Sequence, residues 1–222
     1  MGMAPRIMAR GAEGVLTRDR FLGLECVVKN RVRKGYRESE LDAKLRTTRT
    51  RVEARLLHEA KRAGVRCPVV FSVSGSELII SFVKGKPLRE LLEEKLECAA
   101  YLRESGEALA RLHSAGIIHG DYTTANIIIS QDKVWVIDFG LGEFTNDLEE
   151  KAVDVLLMKR SLSKEDYEHF LEGYRAYADS EKVLERLREI ELRGRYVVRT
   201  MCCDFRRTSR GSTGARDGLR TG

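Results

Sequence analysis

The sequence has no apolar run that approaches the roughly 18 residues needed to cross a membrane. It also lacks the basic start and short apolar stretch of a signal peptide ahead of Met3. These absences argue against an integral membrane protein and a secreted one. We therefore expect a soluble protein of the cytoplasm.

Cysteine is sparse and unpatterned. The five cysteines stand at positions 26, 67, 98, 202 and 203, without a Cys-x-x-Cys pair and without a histidine at zinc spacing. A structural zinc site and a disulfide framework are thereby disfavoured, and a reducing compartment fits best. The hydrophobic fraction of 42% is enough to build a core without disulfides or a structural metal ion.

Acidic residues are scarce at the carboxy-terminal end. From Arg186 to Gly222 there are ten arginines against four acidic residues, and this surplus of six equals the formal net charge of +6. The body is thus neutral and the end is a basic arm that includes Arg193, Arg195 and Arg199. Such an arm suits RNA phosphates or an acidic protein. Residues 200–222 lack apolar periodicity and are expected to be disordered or a cloning read-through.

The sequence does contain a phosphoryl-transfer motif. His119-Gly120-Asp121 precedes Asn126 by a short loop, and Asp138 follows in a Val-Ile-Asp-Phe-Gly run. This order matches the kinase set of base, second metal ligand and first metal ligand. Asp121 would accept the proton of an incoming hydroxyl or orient a water, while Asn126 and Asp138 would offer oxygens to Mg²⁺. His119 is expected to hold the loop by packing and hydrogen bonding.

Two short strands separate the metal ligands. Residues 127–130 and 134–137 are apolar and flank a turn at Gln131-Asp132. This pattern predicts a hairpin, which would bring both ligands to one end.

The amino-terminal half supplies the expected phosphate-binding cation. Residues 7–31 predict three strands, and Lys29 ends the third of them. Residues 38–63 have helical periodicity, and Glu53 is the carboxylate chosen to hold the Lys29 ammonium. The alternatives are a solvated lysine and a pair between Glu53 and Arg49 within the helix.

The remaining nucleotide contacts are expected at two places. The first is the turn between the first two strands, where two glycines of the usual three remain and a simple hairpin turn is an equal alternative. The second is the hinge that follows two further strands, at 68–73 and 77–83. The residues assigned to nucleotide binding besides Lys29 and Glu53 are Gly11, Ala12, Glu13, Gly14, Ile80 and Phe82.

The second half predicts mainly helices, over residues 87–95, 98–114, 148–159, 163–177 and 180–192. Asp154 is the expected counterpart of the buried aspartate that holds the catalytic-loop backbone in kinases, and a surface position is its alternative. No Ala-Pro-Glu follows Gly140, and Gly120 replaces the arginine that pairs with an activation-loop phosphate. A phosphorylation gate of that kind is not expected.

Together these motifs resemble the small atypical kinase family of the KEOPS complex, relatives of RIO kinases. The resemblance covers residues 4–199 and is most specific at 11–13, 51–55, 119–126, 138–141 and 193–195. It implies an α+β, protein-kinase-like fold of two lobes. Residues 4–83 would form an amino-terminal lobe with a five-stranded antiparallel sheet and one helix. Residues 84–199 would form a truncated, mainly helical carboxy-terminal lobe with the basic tail.

The resemblance also implies an activity. Family members use ATP and Mg²⁺, autophosphorylate on serine or threonine in isolation, and act as an ATPase within the complex. They support the threonylcarbamoyl-transferase subunit, which modifies the tRNA adenosine beside the anticodon. The resemblance further implies that this subunit binds the carboxy-terminal lobe and a small regulatory subunit binds the amino-terminal lobe, with tRNA on the basic tail.

Two other functions remain open at this point. Small-molecule kinases such as the antibiotic and choline phosphotransferases share His-Gly-Asp, although Asp-Phe-Gly and the missing helical substrate domain argue against them. A scaffold with a purely regulatory nucleotide site is the other, and the intact catalytic set argues against it.

Overall fold

A computed structural model describes residues 6–10, 14–36 and 38–193 of the 222-residue chain. The described part has the two-lobed α+β architecture that the sequence predicts. Several predictions lie outside the described residues, namely those for Gly11, Ala12, Glu13, Arg195, Arg199 and residues 200–222.

The amino-terminal lobe is built on a five-stranded antiparallel sheet in the order β1-β2-β3-β5-β4. A tight turn at Leu22-Gly23 joins β2 to β3, with φ values of 50° and 85°. Turns with positive φ match the right-handed twist of the strands they join. The strands are β1 (Arg6–Arg10), β2 (Val15–Phe21), β3 (Leu24–Asn30), β4 (Val70–Ser74) and β5 (Glu77–Ser81).

One long helix, α1 (Ser39–Arg62), packs against this sheet. Its buried positions Leu56, Leu57 and Ala60 recur at helical spacing and join the main core. Acidic residues in its first turn and basic residues in its last turn complement the helix dipole. The observed bounds agree with the predicted helix to within one residue.

The carboxy-terminal lobe is mainly helical, and residues 180–193 form its last described helix, α6. Its other helices are α2 (Leu88–Glu93), α3 (Ala99–Ser114), α4 (Leu148–Arg160) and α5 (Lys164–Tyr174). Its short strands are β6 (Lys86–Pro87), β7 (Ile117–Ile118), β8 (Ile127–Ser130), β9 (Lys133–Val136) and β10 (Glu143–Phe144). None of the described helices combines the length and the apolar character that a bilayer span requires.

Helices α3 and α5 cross in backbone contact, a feature that the sequence analysis missed. A Cβ atom added at Gly106 would lie 2.1 Å from the carbonyl oxygen of Phe170. One added at Gly173 would lie 1.9 Å from the carbonyl oxygen of Arg103. The crossing therefore requires glycine at both positions. It holds α3 against α5, and α3 is the helix that precedes the catalytic loop in the sequence.

The predicted hairpin is present as β8 and β9, paired from Ile127 opposite Val136 to Ser130 opposite Lys133. Gln131 and Asp132 form its turn with φ values of 50° and 52°. The hairpin brings the segments that follow and precede it, around Asn126 and Asp138, to the same end.

Candidate active site

Lys29 lies near the end of β3 and faces α1. Its Nζ donates to Oε1 of Glu53 and, at 2.7 Å, to Oδ1 of Asp138. Glu53 is only 2% exposed. The structure thus pairs Lys29 with the carboxylate chosen from the sequence, and the ammonium is not left in solvent.

Arg31 is a second cation on the same carboxylate, and sequence reasoning missed it. Its Nη2 donates to Oε2 of Glu53 at 2.8 Å, and the residue is 7% exposed. Glu53 therefore uses one oxygen for each cation. The sequence did contain a signal: Arg31 directly follows β3, and side chains two residues apart on an extended chain point to the same face, so Arg31 shares the face of Lys29.

The contact between Lys29 and its carboxylate partners shifts the pKa values of both Lys29 and Asp138. Burial alone would lower the pKa of Lys29, but the carboxylates of Glu53 and Asp138 raise it above its usual value. Burial alone would raise the pKa of Asp138, but the Lys29 ammonium and the Gly140 N–H hold it below its usual value. Both side chains are consequently ionised at neutral pH.

Asp154 on α4 fixes the backbone of the catalytic loop by hydrogen bonds. Its carboxylate accepts hydrogen bonds from the backbone N–H groups of His119 (2.7 Å) and Gly120 (2.8 Å). Asp154 is fully buried, so it does not occupy the surface position considered as its alternative. His119 adds a hydrogen bond from its ring Nε2 to the Ile137 carbonyl at 3.0 Å, which ties the loop to the segment before Asp138.

Gly120 has to be glycine here. Its φ is +79°, a conformation that L residues rarely adopt, and a Cβ would lie 2.4 Å from the Leu141 carbonyl oxygen. The arginine common at this position in protein kinases therefore has no room.

Asp154 also belongs to a fully buried chain of side chains that the sequence did not reveal. His113 Nε2 lies 3.3 Å from Asp154 Oδ2, and its Nδ1 lies 2.7 Å from the Tyr174 hydroxyl. Burial lowers the pKa of His113, and the bond to Asp154 only partly opposes this. His113 is therefore held neutral between α4 and α5.

Asp121 and Asn126 are joined within the loop. The Asn126 amide nitrogen donates to the backbone oxygen and to Oδ2 of Asp121, both at 2.8 Å. Because that nitrogen is committed, the amide oxygen of Asn126 is the atom left for a cation. Tyr122 points the other way: it is fully buried and donates its hydroxyl to the Ser105 carbonyl at 2.7 Å.

Asp138 adopts a left-handed backbone conformation with a φ of 62°. Its Oδ1 accepts from Lys29 and from the Gly140 N–H at 3.2 Å, which leaves Oδ2 for a cation. No group of three or more His, Cys, Asp or Glu side chains in the described ranges forms a complete metal site. Mg²⁺ often binds one or two protein oxygens and takes its other ligands from phosphates and water, so Asn126 and Asp138 suit it.

A cavity of about 300 Å³ opens between the two lobes at this point. Lys29 and Glu53 of the first lobe and Asp121 and Asp138 of the second all line it, which is the convergence that the motifs predict. Asn126, Ile80 and Phe82 do not line it, so their assigned contacts stay predictions. The lining residues are Ala9, Gly14, Val15, Leu16, Lys29, Asn30, Arg31, Thr50, Glu53, Leu78, Asp121, Asp138, Gly140 and Leu141.

The segment after Gly140 is short and well anchored. Glu143 and Phe144 form β10, which pairs with β7 immediately before the catalytic loop. The Arg55 guanidinium of α1 lies 4.7 Å over the Phe144 ring. Helix α4 then begins at Leu148, four residues after Phe144, so the segment between Gly140 and α4 is short.

Comparison with known proteins agrees with this architecture. A family model described as the RIO domain matches residues 21–158. Two solved structures share the fold with a TM-score of 0.60. WaaP in complex with acyl carrier protein is 15% identical and matches 83% of this chain and 86% of its own. The Rio2 kinase from Chaetomium thermophilum is 16% identical and matches 89% of this chain and 72% of its own. The protein-kinase-like fold class is thereby confirmed.

Curated relatives are closer in sequence. The KEOPS complex subunit Bud32 of Pyrococcus abyssi is 40% identical over 215 residues, covering 88% of this chain and 98% of that protein. A probable bifunctional tRNA threonylcarbamoyladenosine biosynthesis protein of Methanothermobacter thermautotrophicus is 44% identical over 204 residues. That match covers 88% of this chain but only 37% of the longer relative. The chain belongs to the RIO-domain family and, within it, to the family of KEOPS complex subunit Bud32.

Proposed function

We propose that this protein is a Mg²⁺- and ATP-dependent atypical serine/threonine kinase that autophosphorylates in isolation. Within a KEOPS complex it acts as an ATPase that supports threonylcarbamoylation of the tRNA adenosine beside the anticodon. The observation that carries the proposal is the convergence of Lys29, Glu53, Asp121 and Asp138 on one cavity. The names of the curated relatives support the assignment to tRNA modification.

Each side chain has a role in this chemistry. Lys29, oriented by Glu53, binds the α and β phosphates. Asp121 accepts the proton of a serine, threonine or water hydroxyl. The hydroxyl oxygen forms a bond to the terminal phosphorus while the bond to the bridging oxygen breaks, and ADP leaves. Mg²⁺, held by Asn126 and Asp138, would neutralise phosphate charge.

The assembly is proposed from the family. We assign residues 4–83 and 84–199 to the two lobes, with the regulatory KEOPS subunit on the first and the transferase subunit on the second. We assign tRNA to the basic tail, of which Arg193 lies within the described residues, 3.3 Å from Glu149. Residues 200–222 stay outside the lobes in this proposal, and a cytoplasmic location is compatible with it.

Asp138→Asn tests the enzyme assignment. Radiolabelled ATP should give no autophosphorylation and no hydrolysis with this variant, because the site loses its charged metal ligand. Asp132→Asn is the matched control, since it makes the same change at an exposed turn of the β8–β9 hairpin. Unchanged turnover in Asp138→Asn would refute the metal assignment. Selective phosphorylation of a small hydroxylated metabolite would instead favour a small-molecule phosphotransferase.

Two binding experiments test the assembly. Affinity purification from native cells should recover the transferase subunit, and its absence would contradict KEOPS membership. Deleting residues 193–222 should weaken tRNA binding in a salt-dependent manner, because cations that pair with phosphates release counterions. Equal binding by the shortened chain at low salt would remove the RNA role from the tail.

A further inference from the structure

Arg31 occupies a defined place relative to the phosphate cavity. Lys29 and Arg31 lie on the same face, because side chains alternate along an extended chain. Val15 pairs with Asn30 and with Arg10, so Arg31 lies at the end of the sheet where β1 ends and β2 begins. In kinases the connection between the first two strands covers the phosphates of ATP.

The backbone of Arg31 is fixed on both sides. Its N–H donates to the Ser76 carbonyl at 3.1 Å, and its own carbonyl accepts from Arg46 at 3.2 Å. Arg46 is in turn held by the fully buried Asp42, whose carboxylate lies 2.7 Å from Arg46 Nε. The guanidinium therefore projects from a rigid base.

The guanidinium is directed toward the Asp-Phe-Gly end of the cavity. Its Nη2 lies 3.5 Å from the position that a Cβ on Gly140 would occupy, two residues beyond Asp138. Lys29 is placed for the α and β phosphates, so Arg31, one step nearer the connection between β1 and β2, faces the place of the terminal phosphate.

The cations of the cavity are few. Among the described lining residues, Lys29 and Arg31 are the two cations, beside the carboxylates of Glu53, Asp121 and Asp138. A nucleotide brings further negative charge into the cavity, so its phosphates have to be placed next to these two cations. A guanidinium presents five N–H donors in a planar fork, so one such group can donate to a carboxylate such as Glu53 and to a phosphate oxygen at once.

We propose that Arg31 binds the terminal phosphate of ATP and makes the site prefer nucleoside triphosphates over diphosphates. This inference rests on the proposed function, since it requires ATP in the cavity. It adds a specificity-determining residue to the lysine, glutamate and aspartates of the motifs.

The test is a pair of affinities measured on the full chain with Mg²⁺. We expect Arg31→Gln to weaken binding of the imido analogue of ATP on the order of tenfold to a hundredfold, the range for hydrogen bonds to charged groups. ADP affinity should change by less than about threefold. Arg33→Gln, an exposed arginine two residues further, is the matched control and should leave both affinities unchanged.

The outcomes separate the possible roles. Equal losses for the analogue and for ADP would show that Arg31 only orients Glu53 and Lys29, and would overturn the proposal. If Arg31→Gln does not fold, Arg31→Lys gives the same comparison, since it keeps a cation beside Glu53. A wild-type chain that binds neither nucleotide would refute the proposed function itself, whereas intact binding with an unchanged ratio in the variant refutes only this inference.

Discussion

The cleft and the helical lobe each contain a polar network, and the two differ in what they leave accessible. The cleft network consists of Lys29, Arg31, Glu53 and Asp138, and the Asp138 side chain is 47% exposed. The lobe network consists of His113, Asp154 and Tyr174, and the first two are 0% exposed at their side chains. In the cleft, carboxylate oxygens remain available for a ligand. In the lobe, Asp154 is surrounded by protein donors.

The difference explains how the site combines order with reactivity. A buried carboxylate that satisfies backbone N–H groups is costly to remove, and so it fixes the loop that carries Asp121. A carboxylate at an open cleft can keep one oxygen for a metal ion, as Asp138 does with Oδ2 while Oδ1 accepts from Lys29. The lobe network therefore supplies rigidity, and the cleft network supplies an oxygen for a ligand.

The largest effect is expected from Asp154→Ala. This change leaves the His119 and Gly120 N–H groups and His113 without their acceptor, and we expect a loss of about 3 kcal/mol or more in the free energy of unfolding. Urea denaturation measures it, with the exposed Glu168→Ala of α5 as control. A loss below about 1 kcal/mol would contradict the contrast between the networks.

Asp138→Asn should show the opposite pattern. We expect ATP hydrolysis to fall by at least about a hundredfold, which corresponds to about 2.7 kcal/mol of barrier. The free energy of unfolding should stay within about 1 kcal/mol of wild type, because the side chain is half exposed. Parallel loss of stability and activity would mean that the cleft network is structural after all.

Tyr174→Phe probes the far end of the lobe network. It removes the hydroxyl that lies 2.7 Å from His113, and the expected loss is about 1 kcal/mol of unfolding free energy. Tyr101→Phe is a matched control, since its hydroxyl bonds the exposed Asp132. We expect denaturant midpoints to shift for the first variant and to stay constant for the second.

The smallest expected effect is a pH dependence due to His113. Its pKa is lower in the folded state, so the unfolded chain binds more protons below about pH 6.5 and stability falls as pH decreases. The slope for one such group cannot exceed about 1.4 kcal/mol per pH unit. Asp154, Tyr174 and Lys151 also face this ring.

Thermal or urea unfolding between pH 7.5 and 5.5 measures this dependence, because most carboxylates titrate below that range. Comparison with His113→Asn isolates the contribution of His113. An identical slope in both proteins would show that the lobe network does not carry the pH dependence.

Local patterns were sufficient to predict much of the fold. Strand periodicity located β8 and β9, and helical spacing located α1 with Glu53 on its buried side. The pairing of Lys29 with Glu53 could be predicted because, in kinases, the lysine of the third strand pairs with a carboxylate of the helix that follows it. These predictions depend on neighbours in sequence or on one known arrangement of motifs.

The missed features depend on contacts between distant segments. That Arg31 shares the Glu53 carboxylate with Lys29 could be recognised only once the register of β3 and the position of Glu53 were known. Gly106 and Gly173 contact each other's helices across nearly seventy residues of sequence, and neither stands in a turn pattern. His113 is one ordinary position in the stripe of α3 until Asp154 and Tyr174 are placed beside it.

The pairing of β10 with β7 couples the protein surface to the catalytic loop. Glu143 lies opposite Ile118, and Ile118 is three residues before Asp121. Leu141, more than half exposed, contributes the carbonyl that crowds Gly120. The segment after Gly140 is therefore tied by backbone hydrogen bonds to the strand that leads into the 119–126 loop, so its partly exposed residues are held in a fixed position beside that loop.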